Sequence, residues 1–261
     1  MSAVHHDALL KLENVSIQFG GLKVIENLNL QVNRGELLGL IGPNGAGKTT
    51  AFNLISGVYK PNSGQIFFAG DRISTMPTHE IAKKGVVRTF QNIRLFKELD
   101  VITNILVAMH AHCEYGLMNV LGKTKAFSRF EEDYREEALA LLRVFDLEGF
   151  ANDEAGGLPY GVQRKLEIVR ALASHPTLLL LDEPAAGMNH SETAELMNLI
   201  QRIRKDYKLT VLLIEHDMKL VMGICERIVV LDHGTVIAEG EPKAIQCNPK
   251  VIEAYLGVEA T

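Results

Sequence analysis

The chain has no long hydrophobic run and no excess of basic charge. Its longest apolar runs, such as TLLLL at 177–181, fall far below the roughly 20 residues that a membrane-spanning helix needs. A net charge of −5 argues against nonspecific binding of nucleic acid, which requires a basic face that displaces counterions. The N-terminus lacks a basic start followed by an apolar core, so we expect no secretion signal.

Cysteines are few as well. Cys113, Cys225 and Cys247 are widely spaced and odd in number, which is typical of free thiols in a reducing compartment. With 261 residues, 47% of them hydrophobic and 23% charged, the composition suits a globular protein with one large domain, or one domain that carries an insertion. We therefore expect a cytosolic protein whose link to a membrane comes through partners.

Hydrophobic periodicity predicts an α/β protein. Residues 9–41 first alternate apolar and polar positions and then become continuously apolar, which indicates half-exposed antiparallel strands followed by one buried strand. Strands later alternate with helices, a pattern typical of βαβ units and a parallel sheet. The alternating segments are TLLLLDE, helix 192–205, TVLLIE, helix 217–224 and RIVVLD. A hairpin is expected to follow, turning at His233 and Gly234.

Residues 92–157 follow a different pattern. In EEDYREEALALLRVFDL, apolar residues share one stripe of a helix and charged residues occupy the other face. The stripe consists of Ala138, Leu141, Leu142 and Phe145. A looser basic stretch at 116–129 precedes this helix. We interpret the region as a mostly helical insertion.

A phosphate-binding loop follows the buried strand. GPNGAGKTT matches the pattern G-x-x-x-x-G-K-[ST] and leads into a helix. Its glycines let successive backbone N–H groups turn toward phosphate oxygens, and the helix adds its positive N-terminal end. Lys48 supplies a charge near the β- and γ-phosphates, and the Thr49 hydroxyl can ligate Mg²⁺. The residues predicted to bind nucleotide here are Gly42, Pro43, Asn44, Gly45, Ala46, Gly47, Lys48, Thr49 and Thr50.

A second motif, LLLLDEP at 178–184, is the companion of this loop. The strand carries Asp182 to the edge of the sheet, where the carboxylate can hold Mg²⁺ through water. Glu183 follows at the strand end, where it can polarise a water molecule for attack on the γ-phosphate. Taken alone, Asp-Glu-Pro could simply end a strand. Beside Lys48 and Thr49, it indicates catalysis.

These motifs together resemble the ATP-binding-cassette (ABC) ATPases, and the resemblance covers nearly the whole chain. The phosphate loop, the glutamine of RTFQNIRLF, the helical insert, LPYGVQ, LLLLDEP and the histidine of LLIEHDM occur in the order of that family. The resemblance implies an α/β fold: a P-loop NTPase core, with a mixed, largely parallel sheet and flanking helices, an antiparallel β subdomain and an inserted α-helical subdomain. We expect one domain over 1–261, with 1–91 and 162–261 as nucleotide-binding core and about 92–161 as the insert.

The resemblance also implies that two chains enclose two ATP molecules with Mg²⁺. Gln91 would sense Mg²⁺ and the attacking water, His216 would hydrogen-bond the γ-phosphate, and Phe19 would stack on adenine. Each has a plainer alternative: a solvated loop glutamine, a histidine that caps a strand, and a phenylalanine of the core. The catalytic residues expected from the family are Glu183, His216 and Gln91. The expected metal ligands are Thr49, Gln91 and Asp182.

LPYGVQ at 158–163 stands where the family has its signature, usually Leu-Ser-Gly-Gly-Gln, which contacts the partner's ATP. Pro159 replaces the serine and has neither a hydroxyl nor an N–H to donate, and Tyr160 replaces the first glycine. Gly161 remains, and its amide at a helix N-terminus can still face an anion. We keep Gly161 and Gln163 as nucleotide-binding residues and expect a weakened signature.

The loop after Asp-Glu-Pro departs from the family pattern as well. In AAGMN, Asn189 stands where the family commonly has an aspartate. Losing one donor to a transition-state oxyanion can cost about 2.7–4 kcal/mol when nothing compensates. We therefore expect the composite site that uses this chain's signature to hydrolyse ATP slowly, while a partner with an unaltered signature makes the other site active.

Longer stretches are similar to one subgroup, the larger ATPase subunit of bacterial importers for branched-chain amino acids. The similar stretches are 41–64, 85–108, 181–189, 212–231 and 248–257. In that subgroup a Tyr-Gly signature and an asparagine at the position of Asn189 are also usual, so Pro159 is the odd position. The resemblance implies that this chain forms a heterodimer with a second ATPase subunit, or a homodimer when it is isolated. It also implies two integral membrane permease subunits as partners, and a periplasmic binding protein as an indirect partner. No nucleic acid is expected as a partner.

The same resemblance implies a peripheral position at the cytoplasmic side of the bacterial inner membrane. ATP would close the pair of ATPases, and hydrolysis would reopen it. A short permease helix would contact Ile93, Leu95 and Phe96, which could instead belong to the core of the insert.

Other functions stay open at this point. Uptake of urea or short amides and export of lipopolysaccharide use a similar cassette, and a soluble ABC ATPase acting on DNA, ribosomes or iron–sulfur cluster assembly is less favoured. HAHC at 110–113 offers metal-ligand side chains without a spaced fourth ligand, so we expect a solvated helix turn.

Overall fold

A computed structural model describes residues 8–110 and 125–256, and the side chains of the second range from residue 131 onward. The described strands are β1 (Ala8–Phe19), β2 (Leu22–Asn33), β3 (Leu37–Ile41), β4 (Ser63–Phe68), β5 (Asp71–Arg72), β6 (Val86–Arg88), β7 (Leu178–Asp182), β8 (Thr210–Ile214), β9 (Arg227–Asp232) and β10 (Thr235–Gly240). They form a four-stranded antiparallel sheet, in the order β2-β1-β4-β5, and a six-stranded sheet, in the order β10-β9-β3-β8-β7-β6. Only β10 runs antiparallel within that six-stranded sheet.

Helices flank the larger sheet. In the described part of the chain they are α1 (Lys48–Ile55), α2 (Thr78–Lys83), α3 (Val101–His110), α4 (Lys125–Val144), α5 (Tyr160–Leu172), α6 (His190–Asp206), α7 (Met218–Ile224), α8 (Pro242–Gln246) and α9 (Pro249–Leu256). Short 3₁₀ turns span Glu148–Phe150 and Ala155–Gly157. None of these helices is both long and apolar enough to cross a bilayer.

The strand pattern follows the predicted order. Every residue of β3, β7 and β8 is buried, as expected for parallel strands covered on both faces. The hairpin of β9 and β10 turns at His233 and Gly234, whose φ angles of 43° and 78° suit the tight turns that join antiparallel strands. A side chain at Gly234 would collide with the carbonyl oxygen of Val24, 2.3 Å from the added carbon, so glycine is required there.

The six-stranded sheet separates two hydrophobic cores. In β7, Leu178 and Leu180 pack with α1 and the antiparallel sheet, whereas Leu179 and Leu181 pack with the helices on the other face. This alternation follows from the period of two along a strand. Both faces of the sheet are therefore covered, and the functional loops gather where the strands end.

Between β6 and β7 the described chain has an irregular stretch at 89–100 and then α3, α4 and α5 with the two 3₁₀ turns, and the predicted stripe is buried in the hydrophobic core where α4 packs against α3. Residues 111–113 of HAHC, including Cys113, lie outside the described residues, as do 116–124 and the side chains of 125–129 from the basic stretch. Cys225 is buried and Cys247 exposed, and both are free thiols. Burial raises the pKa of Cys225 to about 12.

Candidate functional site

The phosphate-binding loop joins the end of β3 to the beginning of α1, as its sequence predicts. Gly42 has a φ of 151°, and a side-chain carbon there would lie 2.1 Å from the carbonyl oxygen of Leu231. Gly47, directly before α1, has a φ of 100° that favours glycine. The N–H of Gly234 donates to the carbonyl of Ala46 at 3.1 Å, which ties the loop to the hairpin.

Lys48 lies inside this loop. Its ammonium group is buried and donates to the carbonyls of Gly42 at 2.7 Å and Pro43 at 2.9 Å. Burial lowers the pKa of Lys48, while the negative charges of Glu183 and Asp182 act in the opposite direction. A cation held beside the N–H groups of a tight loop fits an anionic phosphate chain.

Asp182, the last residue of β7, forms an ion pair that the sequence patterns did not indicate. Its Oδ2 lies 2.7 Å from a terminal nitrogen of Arg88, and both side chains are only 6% exposed. Arg88 also donates to Oδ1 of Asn53 at 2.7 Å, and its guanidinium lies 5.4 Å from the ring centre of Phe52. These contacts fix the orientation of the Asp182 carboxylate.

The oxygen donors predicted for Mg²⁺ are of the type that this cation prefers: a hydroxyl, a carboxylate and an amide. Thr49 is exposed beside the buried Lys48, and Asp182 acts on that lysine through its charge. The described residues hold no group of three or more His, Cys, Asp or Glu side chains that could bind a metal alone. This donor set fits a cation that takes its remaining ligands from phosphates and water.

The structure brings Glu183, Gln91 and His216 together. Nε2 of Gln91 donates to Oε2 of Glu183 at 2.7 Å, and Nδ1 of His216 lies 3.7 Å from the same oxygen. The φ of Glu183 is 47°, in the left-handed region that few side chains adopt. Strain of this kind is typical of functional positions, where the surrounding structure imposes the geometry.

Glu215 holds the loop that carries His216, although no motif singled it out. It is 1% exposed and accepts hydrogen bonds from the N–H groups of Ala185 at 2.9 Å and His216 at 3.2 Å. Burial raises the pKa of Glu215, and these two backbone bonds oppose the increase. One buried carboxyl group thus links the loop after Glu183 to the histidine loop.

The beginning of α5 carries the altered signature. Pro159 is the N-cap residue, and its carbonyl accepts from the N–H groups of Val162 and Gln163, both at 3.0 Å. The side chain of Gln163 turns back to the carbonyl of Leu158 at 2.8 Å. The atoms around Gly161 belong to the beginning of α6 and the loop before it, not to the phosphate loop of the same chain.

Asn189 also has a local function. Its Oδ1 accepts from the N–H groups of Ser191 and Glu192 at 2.9 and 3.0 Å, and the carboxylate of Glu192 accepts from the N–H of Asn189 at 2.9 Å. This reciprocal pair is a capping box at the beginning of α6. An asparagine therefore satisfies the helix end without a negative charge.

Phe19, predicted to stack on adenine, lies at the surface rather than in the core. Its side chain is 43% exposed and meets Tyr59 edge to face, with 5.0 Å between the ring centres. An exposed aromatic face supported by a second ring is suited to a planar base.

Two family models match the sequence. The one described as "ABC transporter" matches residues 25–186, and the one described as "Branched-chain amino acid ATP-binding cassette transporter" matches residues 235–261.

Curated relatives match over almost their whole length. The chain is 49% identical to the high-affinity branched-chain amino acid transport ATP-binding protein BraF of Pseudomonas aeruginosa and 48% identical to LivG of Escherichia coli. Each alignment covers 95% of this chain and 98% of the relative. Identity to the lipopolysaccharide export system ATP-binding protein LptB of Escherichia coli is 32%, with 96% and 98% covered.

Solved structures agree in fold. An ATP-binding cassette of an ABC transporter in its ADP conformation superimposes with a TM-score of 0.83 at 32% identity, covering 96% of this chain and 99% of that one. A dimeric cassette in a post-hydrolysis state, bound to ADP and phosphate, gives 0.75 at 26% identity, with 89% and 98% covered.

Proposed function

The chain belongs to the ABC transporter family, and we propose that it is the ATP-hydrolysing subunit of an importer for branched-chain amino acids. The proposal of ATP hydrolysis rests on one observation. The Glu183 carboxylate, at the end of β7, contacts both Gln91 and His216 beside the phosphate loop. The proposal that the importer transports branched-chain amino acids is supported by the names of relatives that are 48% and 49% identical over 95% of the chain.

Glu183 acts as the base that activates the attacking water. A general base must lie within hydrogen-bonding distance of the proton that it removes, and the strained backbone holds this carboxylate beyond the strand end. The 2.7 Å bond from Gln91 orients the carboxylate, and His216, 3.7 Å away, is placed to hold the γ-phosphate. The three residues therefore share the work of positioning water against phosphate.

Lys48, Thr49 and Asp182 hold the phosphates and Mg²⁺. When bound, Mg²⁺ neutralises the charge that develops on the β- and γ-phosphate oxygens. Arg88 fixes the Asp182 carboxylate from behind, and Phe19 supplies a surface for adenine. The remaining loop residues contribute backbone N–H groups along the phosphates.

The altered signature completes the site of the partner subunit. Pro159 has no side-chain donor, so the N–H groups at the beginning of α5, including that of Gly161, are the groups that face the partner's nucleotide. We expect the site that uses this signature to turn over more slowly than the other one. A vanadate-trapping or single-turnover measurement that found equal rates at both sites would contradict this expectation.

The proposed assembly contains a second, different ATPase subunit, two membrane permease subunits and a periplasmic binding protein that acts through the permeases. It places this chain at the cytoplasmic face of the inner membrane, with 1–91 and 162–261 as its nucleotide-binding core and about 92–161 as the insert. Phe96, which is 47% exposed, is the main contact for a permease helix. Leu95 is half-buried and packs on the helical core, as the alternative interpretation had it.

The first experiment is to tag the chain in its native host, solubilise the membranes gently and identify what co-purifies. Two permease subunits and a distinct ATPase support the proposal, and uptake of labelled leucine, isoleucine and valine then tests the substrate. If the tagged chain stays in the cytosol without membrane partners, the proposed role in transport is wrong. Glu183→Gln should retain ATP binding and abolish hydrolysis in the same complex.

Export of lipopolysaccharide is the second candidate, because LptB of Escherichia coli is 32% identical over 96% of the chain. The co-purification separates the two functions. Partners that bind lipopolysaccharide would support export, whereas a periplasmic protein that binds aliphatic amino acids would support import. The higher identity to BraF and LivG favours import.

A further inference from the structure

A buried ion pair inside α5 is not used by the ATP site described above. Arg164 and Glu167 are 0% and 1% exposed, and Nη1 of the arginine lies 2.9 Å from Oε2 of the glutamate. Within the described chain, nothing accepts a hydrogen bond from the buried Nε of Arg164. Burying two charges costs more free energy than their attraction returns unless the geometry is very good, so stability alone is a weak reason for the pair.

The other hydrogen bonds of this pair converge on the segment that contains Gln91. Arg164 donates to the carbonyl of Phe90 at 2.8 Å and to the carbonyl of Gln91 at 2.7 Å. Oε1 of Glu167 accepts from the N–H of Arg94 at 3.2 Å. Two side chains of α5 thus hold the main chain on both sides of the Gln91 side chain.

The chemistry of arginine explains why this contact is rigid. The guanidinium group is planar, and its N–H groups point in fixed directions, so bonds to two successive carbonyls set both position and orientation. Glu167 pairs with the same guanidinium, and its carboxylate extends the contact to Arg94. Gln91 itself remains exposed, and its side chain is left to contact Glu183.

Tyr160 joins this group to the altered signature. Its hydroxyl accepts from Nη2 of Arg164 at 2.9 Å, one turn further along α5. Its ring, 45% exposed, packs over Gly187, where an added side-chain carbon would lie 3.1 Å from the ring. The tyrosine that replaces a signature glycine therefore touches the loop after Glu183 and the arginine that holds Gln91.

We propose that Tyr160, Arg164 and Glu167 act as one positioning unit that holds the main chain at Gln91 to the beginning of α5. The proposal rests on the proposed role of Gln91 in hydrolysis. By fixing the main chain there, the unit sets where the side chain of Gln91 meets Glu183.

The test replaces the buried pair by apolar residues of similar size, in the double variant R164M/E167L. Such replacements usually leave a fold intact, so the variant separates positioning from stability. In the full chain assembled with its co-purifying partners, we expect kcat for ATP hydrolysis to fall about 10- to 100-fold, as for other small misplacements of catalytic groups. KM for ATP should change less than about twofold, because the unit does not touch the nucleotide of its own chain.

Two further variants keep the test sharp. Tyr160→Phe removes one hydroxyl and should lower kcat roughly two- to tenfold, the effect of one hydrogen bond, even if the double variant fails to fold. Lys165→Met is the matched control, since Lys165 lies on the same helical turn and pairs only at 3.4 Å with Glu195 at the surface. It should leave kcat unchanged.

Comparison with Gln91→Ala distinguishes this inference from the proposed function. If Gln91→Ala lowers kcat and R164M/E167L causes no further loss in that background, the positioning unit acts through Gln91, as proposed. A folded double variant and a Tyr160→Phe variant with normal kcat would overturn the inference and leave the role of Gln91 intact. If R164M/E167L lowers kcat by the same factor in the Gln91→Ala background as in the wild type, the two effects are independent, and the inference is also overturned. Normal hydrolysis by Gln91→Ala would contradict the proposed role of Gln91 and the inference together.

Discussion

Replacing Arg88 by methionine is expected to destabilise the protein strongly, because it leaves the carboxylate of Asp182 buried without its partner. The two groups are 2.7 Å apart and both side chains are 6% exposed. Removing one member of a buried ion pair typically costs about 3–5 kcal/mol, since the remaining charge is neither solvated nor paired. The variant also loses the bond from Arg88 to Asn53.

The expected change in melting temperature follows from the size of the chain. For a domain of this size, each kcal/mol lowers the melting temperature by about 2–4 °C, so Arg88→Met should melt roughly 6–20 °C below the wild type. Urea denaturation gives the free energy of unfolding directly, and thermal scanning provides an independent measurement. Both should be made without nucleotide, because ligand binding would add its own stabilisation.

The chain offers a matched control in another arginine pair. Arg143 lies 2.9 Å from Glu148, but their side chains are 59% and 50% exposed. Exposed pairs contribute about 0–1 kcal/mol, so Arg143→Met should unfold at nearly the wild-type urea concentration. Comparing the two variants separates the loss of stability caused by breaking a buried ion pair from the loss caused by breaking an exposed one.

A double-mutant cycle tests the cause. In Arg88→Met combined with Asp182→Asn, no unpaired carboxylate is left, so the double variant should be more stable than the sum of the single effects predicts, by about 1–3 kcal/mol. If Arg88→Met costs less than about 1 kcal/mol, or if the two substitutions are additive, the carboxylate is not the source of the loss and our reasoning is wrong.

Three further predictions concern the site. Gly42→Ala should lower the free energy of unfolding by at least about 1 kcal/mol and impair binding of a fluorescent ATP analogue, because its side chain would meet the carbonyl of Leu231; wild-type affinity and stability would contradict this. Burial raises the pKa of Glu215, so its carboxyl group stabilises the fold below the unfolded pKa and loses that contribution as pH rises through the folded one. The melting temperature of Glu215→Gln minus that of the wild type should therefore increase from about pH 4.5 to about pH 7.5. If this difference does not change with pH, the reasoning about Glu215 is wrong. Phe19→Ala should weaken ATP binding at least about fivefold, since stacking on a base contributes about 1–3 kcal/mol; an unchanged dissociation constant, with Tyr59→Phe as the control, would exclude stacking there.

The sequence alone was sufficient to predict the order of the strands and helices and the position of the phosphate loop. The apolar runs of β3, β7 and β8, and the alternation of strands with helices, predict a parallel sheet because the side-chain periods of strands and helices are local properties. The phosphate loop could be found because its glycine and lysine spacing is contiguous and specific. The turn at His233 and Gly234 was also predictable from a short pattern.

Contacts between distant parts of the chain were not predictable in this way. Arg88 and Asp182 are 94 residues apart, and Arg164 and Gln91 are 73 apart, so no local pattern joins them. Only the adjacency of β6 and β7 brings Arg88 beside Asp182, and only the packing of α5 brings Arg164 to the main chain at Gln91.

The functions of individual side chains at the altered signature also required the tertiary structure. Gln163 turns back to the carbonyl of Leu158, and Asn189 caps α6, although both stand in motifs that suggested contacts with nucleotide or partner. Tyr160 illustrates the difference most clearly. Its sequence position showed that a signature glycine was lost, and its contacts with Gly187 and Arg164 show what replaced it. Periodicity and spacing depend on neighbours along the chain, whereas a buried side chain takes its partners from whichever elements the folded sheet places against it.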